Sequence, residues 1–191
     1  MSNNTLDIVA LSGSLRAGSF NARLLEIAKD LAPKDAEIEI YDYSDVPLYN
    51  GDLDDANAPA AVQHLRERIR RADAVLIATP EYNFSVPGVL KNALDWASRP
   101  YGQSAVAGKP LAIIGGGGGQ GTNRAQDHLR QIAHGLGMRP VARPEVFVAN
   151  IWTKLAGSDG LDPVAHKLIG ELLENLAQLA RADRAQLKTA A

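Results

Sequence analysis

The chain passes from its first apolar segment into a helical pattern through Ser12-Gly13-Ser14-Leu15-Arg16-Ala17-Gly18-Ser19-Phe20-Asn21. The preceding residues, 6–11, are apolar and partly β-branched, which predicts a buried strand. A loop of this composition brings backbone N–H groups, hydroxyls, an amide and one guanidinium toward a single point at the start of a helix. These donors suit a phosphate monoester better than a pyrophosphate, because no glycine triplet follows the strand.

Short apolar segments recur along the chain with helical patterns between them, and this alternation predicts crossover units and a parallel sheet. Strands are predicted at residues 6–11, 37–41, 74–79, 111–115 and within 139–148. Helices are predicted at residues 19–31, 59–71, 87–97, 122–135 and from 162 to about 187. The pattern predicts a flavodoxin-like, doubly wound five-stranded α/β fold with strand order 2-1-3-4-5, helices on both faces, and ligands beyond the carboxyl ends of the strands. We expect residues 1–191 to form a single domain of this kind.

Composition excludes several partners and chemistries. The formal net charge of −2 gives no general attraction to nucleic acid or to anionic lipid. The chain has no cysteine, so disulfides, thiol redox chemistry and thiolate metal sites are excluded, and a redox reaction needs a cofactor. The first residues are polar and no long apolar run follows, so we expect no secretory signal, no membrane span and a cytoplasmic location.

Two further loops follow predicted strands. Pro80-Glu81-Tyr82-Asn83-Phe84-Ser85-Val86-Pro87 is stiffened by its prolines, and its amides and carbonyls can contact the edge of a planar ring. Tyr82 and Phe84 are candidate walls for a cofactor or a second substrate. The third loop contains Gly115, Gly116 and Gly117 within a glycine run that extends to Gly119 and is followed by Gly121. We expect bare N–H groups and room for a flat ring along this run.

Each loop also has a purely structural interpretation, and the residues alone leave both open. The first is equally a polar turn with Ser19 as helix cap. The second is equally a rigid loop around a core tyrosine, and the third a surface turn. The histidines at positions 64, 128, 134 and 166 have no metal-ligand spacing, so no metal site is expected. The arginines at positions 66, 68, 70 and 71 are interpreted as the solvated end of a helix.

Two of the loops resemble the flavin-contacting loops of the NADPH-dependent FMN reductase family. Gly-Ser-Leu-Arg-x-Gly-Ser-x-Asn at residues 13–21 is similar to the FMN-phosphate loop of that family. Pro-Glu-Tyr-Asn-x-Ser-x-Pro at residues 80–87, continued by Lys91, Asn92, Asp95 and Trp96, is similar to its second loop. The resemblance covers about residues 6–148 and implies the following FMN-binding residues: Ser14, Arg16, Ser19, Phe20, Asn21, Pro80, Glu81, Tyr82, Asn83, Phe84, Ser85, Gly115, Gly116 and Gly117.

The resemblance also implies an activity. Family members pass a hydride from NADPH or NADH through FMN to quinones, flavins, chromate or azo compounds, and the cofactor rather than a protein acid or base does the chemistry. It further implies a homodimer or homotetramer. Residues 123–130 are similar to a family segment in which Arg124 is a candidate for substrate or interface contact, and Asp127 stands where relatives often have tyrosine.

Other classes of function remain open from the residues. A flavodoxin-like FMN electron carrier would bind the same cofactor without nicotinamide turnover, although the modest charge and the absence of a Thr-x-Thr-x-Asn-Thr loop disfavour it. A flavin-dependent regulatory protein and a nucleotide-phosphate hydrolase on the same fold are the remaining alternatives.

Overall fold

A computed structural model describes residues 5–54, 58–155 and 160–190. Within these residues, one sheet is built from six strands: β1 (Leu6–Ser12), β2 (Ala36–Ile40), β3 (Ala74–Ala78), β4 (Pro110–Gly116), β5 (Arg139–Pro140) and β6 (Val146–Val148). Every residue of β3 and β4 is buried. Their almost unbroken apolar sequences are typical of strands that are covered on both faces.

The strands pair in the order β2-β1-β3-β4-β5, and every pairing is parallel. This confirms the predicted flavodoxin-like fold. The fifth position of the sheet differs in detail, because β5 and β6 both pair with β4 and share the place of one predicted strand. Pro140 and Pro144 lie in this stretch, and proline has no N–H to donate to a ladder, so the pairing is interrupted.

The helices are α1 (Phe20–Asp30), α2 (Ala60–Arg71), α3 (Gly88–Ala97), α4 (Asn123–Gly135), α5 (Ile151–Lys154) and α6 (Pro163–Ala190). A short 3-10 helix, Gly51–Leu53, lies in the long loop between β2 and α2. Buried leucines of α1 and α6 pack on one face of the sheet, and those of α2, α3 and α4 pack on the other. The predicted covering of both faces is therefore confirmed, and the carboxyl ends of the strands are left to the loops.

The arginines near the end of α2 are only partly solvated. Arg66 is buried, with its guanidinium 2.5 Å from Asp54 and 5.6 Å from the ring centre of Trp96. Arg68 pairs with Asp7 at 2.6 Å and with Glu39 at 2.7 Å. The interpretation of this helix end as a solvated face is wrong for these two residues, because each has acidic partners on other elements that are distant in sequence.

The loops after β1 and β3 touch each other. A Cβ added at Gly13 would lie 2.9 Å from Pro80 Cδ, so a larger residue would push the two loops apart. Gly13 N–H donates to Ala78 O at 2.7 Å, which fixes the first loop to the end of β3. None of the described helices is both long enough and apolar enough to span a membrane.

Candidate functional site

The loop after β1 presents a row of free donors. Residues 15–18 are exposed, and their N–H groups have no acceptor within the described part of the chain. The same holds for the N–H groups of Phe20 and Asn21 in the first turn of α1. Amides at the start of a helix attract anions, because the peptide dipoles place positive partial charge there. The loop therefore has the donors of an anion site.

Ser14 and Ser19 have different surroundings in this loop. Ser19 accepts from Ala22 N–H at 3.2 Å and is the N-cap of α1, as its sequence position predicts. The Ser14 hydroxyl lies 3.2 Å from the hydroxyl of Tyr82, across the gap between the two loops. Ser14 is buried, whereas Tyr82 is about half exposed. The phenol of Tyr82 is thus next to the anion-binding loop and not turned into the core.

Asn21 is committed to the fold. Its side-chain amide donates to Gly116 O at 3.0 Å, and its side-chain carbonyl accepts from Gly116 N–H at 2.9 Å. Asn21 is 3% exposed and joins the start of α1 to the end of β4. Its side-chain carbonyl and one of its two side-chain N–H groups therefore hold two loops of the site in place.

Arg16 is exposed and lies over its own loop. A Cβ added at Gly18 would lie 2.8 Å from Arg16 Nη1, and the Arg16 guanidinium lies 5.8 Å from the ring centre of Phe20. Arg16 has no ion pair within the described residues. Its positive charge is therefore available to an anion at this loop.

The second loop contains a tight turn. Tyr82 and Ser85 exchange two backbone hydrogen bonds, each 3.1 Å, and the two residues between them have positive φ, 49° at Asn83 and 65° at Phe84. Positive φ at both central positions defines a type I′ turn. Asparagine tolerates this conformation, but it is unusual for a phenylalanine. The turn presents the ring of Phe84 outward, 66% exposed.

Glu81 connects this turn to α4. Its carboxylate accepts from the N–H groups of Arg124 and Ala125 at 3.1 and 3.2 Å, and so caps the start of the helix. It also pairs with the Arg124 guanidinium at 2.6 Å. That guanidinium lies 4.4 Å from the ring centre of Phe84, within cation–π range. Glu81 and Arg124 thus fix the direction of Phe84.

A histidine that the sequence analysis did not place in the site contacts the same turn. His128 Nδ1 lies 2.9 Å from the Ser85 hydroxyl. His128 is one helical turn after Arg124, so both side chains are on the face of α4 that is toward the second loop. The i, i+4 spacing after Arg124 was the available sequence signal.

The glycine loop after β4 differs from expectation. The N–H groups of Gly116 and Gly117 are already bonded, to Asn21 Oδ1 at 2.9 Å and to Val148 O at 3.1 Å. A Cβ added at Gly115 would overlap Thr122 Oγ1, and one at Gly116 would lie 2.7 Å from Ile151 Cγ1. The expectation of bare N–H groups is therefore wrong for Gly116 and Gly117, because their N–H groups bond to protein atoms. Gly115 and Gly116 lie where packed side chains leave no room for a Cβ. Gly119 is exposed, with nothing near its Cβ position.

The long loop after β2 is anchored by Tyr43, which the motifs did not include, and by Asn92 and Trp96, which continue the second motif. The Tyr43 hydroxyl donates to Ser12 O at the end of β1, and burial raises the pKa of Tyr43 above its ordinary value. Asn92 and Trp96 of α3 both donate to Pro47 O, at 2.9 and 2.8 Å. Asn92 and Trp96 thus hold the loop against α3.

The arrangement can bind and orient a phosphorylated planar molecule. Donors for the phosphate are on the first loop, aromatic side chains are on the second, and both are at the carboxyl edge of the sheet, where doubly wound folds bind ligands. Among the described residues, no group of three or more acidic or histidine side chains could hold a metal ion.

Comparison with known proteins agrees with this geometry. The family model for NADPH-dependent FMN reductase matches residues 6–153. An NAD(P)H-dependent FMN reductase of Pseudomonas aeruginosa is 47% identical over 173 residues, which cover 90% of this chain and 93% of the relative. A quinone reductase of Pseudomonas putida is 38% identical, with 93% of this chain and 96% of the relative covered.

A solved structure supports the same assignment. The flavoenzyme NAD(P)H:(acceptor) oxidoreductase of Paracoccus denitrificans superposes with a TM-score of 0.85 at 35% sequence identity, covering 93% of this chain and 98% of its own. The family match spans most of the chain, and the relatives are covered almost end to end. The chain therefore belongs to the NADPH-dependent FMN reductase family of oxidoreductases.

Proposed function

We propose that this protein uses bound FMN to carry electrons from NADPH or NADH to quinones. The observation that carries the proposal is the loop at residues 14–21, with its free N–H groups, the Ser14 hydroxyl and the unpaired Arg16 beside the exposed aromatic turn of residues 82–85. The donors and the positive charge of residues 14–21 suit a phosphate, and the aromatic turn of residues 82–85 suits a planar ring.

The phosphate of FMN would be held at the first loop. The N–H groups of residues 15–18, the N–H groups of the first turn of α1 and the Ser14 hydroxyl are the donors, and Arg16 supplies the compensating charge. Tyr82 supports this placement, because its hydroxyl is already 3.2 Å from Ser14. Ser19 contributes by capping α1, and Asn21 contributes by joining α1 to β4.

The flavin ring would lie between the second and third loops. Pro80 and Glu81 are positioned by Gly13 and by α4, so the backbone from Glu81 to Ser85 has a fixed place at the ring edge. The backbone of the glycine loop would support the ring. The backbone N–H groups of this loop that remain free within the described chain begin beyond Gly117. Phe84 is the candidate wall for the second substrate.

FMN supplies the redox chemistry when bound, since its ring takes up a hydride and later gives up two electrons. The protein contributes binding, orientation and the exclusion of competing reactions. The quinone assignment is supported by relatives named 2-hydroxy-1,4-benzoquinone reductase, from Burkholderia, and quinone reductase, from Pseudomonas putida. Flavins, chromate and azo compounds are additional acceptors to be tested.

We further propose that the whole chain is one domain that works as a homodimer or homotetramer. Leu48, Leu53, Tyr82, Phe84 and Trp152 are exposed apolar side chains on loops or a short helix beyond the carboxyl ends of the strands. Apolar groups of this kind favour a second copy at the rim of the site. Light scattering of the purified protein at micromolar concentration tests this, and a monomer contradicts it.

The absorption spectrum tests the function directly. Protein mixed with FMN and desalted is expected to keep the flavin bands near about 375 and 450 nm, and anaerobic NADPH or NADH is expected to bleach them. Addition of a quinone then restores the bands. Retained flavin that neither nicotinamide bleaches would favour the electron carrier, and loss of the flavin on desalting would contradict the proposed site.

A further inference from the structure

The second loop and α4 are joined by other contacts besides the hydrogen bond between Ser85 and His128. Ser85 is fixed in its turn by two backbone bonds to Tyr82, and α4 is fixed to that loop by the Glu81 carboxylate. The 2.9 Å contact between the Ser85 hydroxyl and His128 Nδ1 is an additional link between two partly solvated side chains.

Several other polar groups around this turn already have partners. Glu81 accepts from the N–H groups of Arg124 and Ala125 and from the Arg124 side chain. The Tyr82 hydroxyl is beside Ser14. Asp127 is next to His128 in the chain and lies 3.7 Å from Arg130. Imidazole is the side chain that most readily exchanges a proton near neutral pH, and the exposed ring of His128 is open to solvent.

We propose that Ser85 and His128 form a proton path to the second substrate, an inference that rests on the proposed function. A quinone that receives a hydride becomes a monoanion and needs one proton to become the hydroquinone. The Ser85 O–H bond breaks as the new O–H bond forms on the substrate oxygen, and the proton on His128 Nδ1 moves to the serine oxygen. Water returns a proton to the imidazole, and the only electron pair transferred is the one in the hydride.

In this path Ser85 is the residue that touches the substrate, and His128 is a positioning residue that acts through it. Arg124 is one helical turn before His128 on α4, Asp127 directly precedes His128, and Glu81 on the second loop pairs with Arg124.

Two substitutions separate proton supply from positioning. His128→Asn places an amide near the position of Nδ1, so it keeps a hydrogen bond to Ser85 but cannot relay a proton. Ser85→Ala removes the hydroxyl. His134→Asn is the matched control, since His134 is an exposed histidine on the same helix without a contact to the second loop among the described residues.

The first readout does not depend on activity. In protein without FMN, the imidazole ¹⁵N resonances of His128 are expected to shift in Ser85→Ala, whereas those of His134 stay unchanged. FMN affinity is expected to remain within about twofold of wild type in His128→Asn and His134→Asn, because both histidines are on α4 and outside the loops assigned to FMN. Unshifted His128 resonances would overturn the proposal at its geometric basis.

The second readout is the reoxidation of FMN-loaded, NADPH-reduced protein by menadione in anaerobic stopped flow. His128→Asn and Ser85→Ala are expected to slow this step by about 10²-fold or more, the scale of lost general acid catalysis. Reduction by NADPH is expected to be unchanged in His128→Asn. In His128→Ala, added imidazole is expected to restore part of the rate. Reoxidation of His128→Asn at the wild-type rate would overturn the proton path and leave the reductase intact, whereas failure to bind FMN or to be reduced would overturn the proposed function itself.

Discussion

Arg16 is the exposed residue whose positive charge we propose to contribute to FMN binding. Its guanidinium lies over the first loop near Gly18 and Phe20 and has no acidic partner within the described chain. Bringing this guanidinium to a phosphate dianion has a small free-energy cost, because no existing ion pair must be broken.

Arg16→Ala is therefore expected to weaken FMN binding by about 1.5–3 kcal/mol, the scale of a hydrogen bond to a charged group. Fluorescence titration of the protein with FMN measures this. Arg71→Ala, an exposed arginine at the end of α2, is the control and should leave the dissociation constant unchanged. Equal affinities for wild type and Arg16→Ala would remove Arg16 from the site.

Tyr43 makes the stability of the folded protein depend on pH. Burial raises the pKa of this phenol, so the folded protein keeps the proton while the unfolded chain ionises above about pH 10. The contribution of Tyr43 to stability is complete below that pH and falls as the pH rises further.

Tyr43→Phe is expected to lower the free energy of unfolding at pH 7 by about 1–2 kcal/mol, because Ser12 O loses its donor. The difference in unfolding free energy between the two proteins should narrow above about pH 10. There the unfolded wild-type chain has lost the Tyr43 proton and must regain it on folding, whereas Tyr43→Phe has no such proton. Urea unfolding of both proteins at pH 7, 9 and 10.5 measures the stability difference and its decrease with pH. A difference that is the same at all three would contradict the role of the phenol.

At the scale of elements, Asn21 joins α1 to β4. Both atoms of its side-chain amide bond the backbone of Gly116, and neither contact can be replaced by water at a residue that is 3% exposed. A donor and an acceptor would be left buried and unpaired without it.

Asn21→Ala is expected to lower the stability of the FMN-free protein by about 2–4 kcal/mol. Asn175→Ala, which removes one exposed contact to Arg143 O, should cost less than about 1 kcal/mol. Chemical unfolding without FMN provides the comparison. If Asn21→Ala were as stable as wild type and only FMN binding fell, Asn21 would be a ligand residue and not a link between elements.

For the whole molecule, cofactor binding and folding are linked, because the three loops of the site come from different parts of the chain. FMN at 100 times its dissociation constant is expected to add about 2.7 kcal/mol to the stability. For a chain of this size, the midpoint of thermal unfolding should rise by roughly 5–10 °C.

Riboflavin is the matched ligand for this measurement, since it has the same ring but no phosphate. Thermal scans with each flavin at equal concentration are expected to show a much smaller rise for riboflavin. Equal rises would mean that the first loop does not bind the phosphate.

The order of the strands and the placement of helices on both faces followed from the sequence alone. Short apolar strands alternating with amphipathic helices can bury their apolar surfaces in few ways, and Ser19 was identified as a helix cap because capping is a local interaction. The adjacency of loops 14–21 and 80–85 was predictable in the same way, since parallel strands end at one edge of the sheet, and Ser14 and Tyr82 are in contact there.

Only the tertiary structure decided what each side chain in those loops contacts. The structure shows that the Asn21 side chain bonds to Gly116 and the Glu81 carboxylate to α4, and Arg66, interpreted as solvated, is paired with Asp54. His128 entered the site through a contact with Ser85, 43 residues away. Local patterns report backbone propensity and apolar periodicity, whereas a polar side chain chooses its partner among groups that only the folded chain brings within reach.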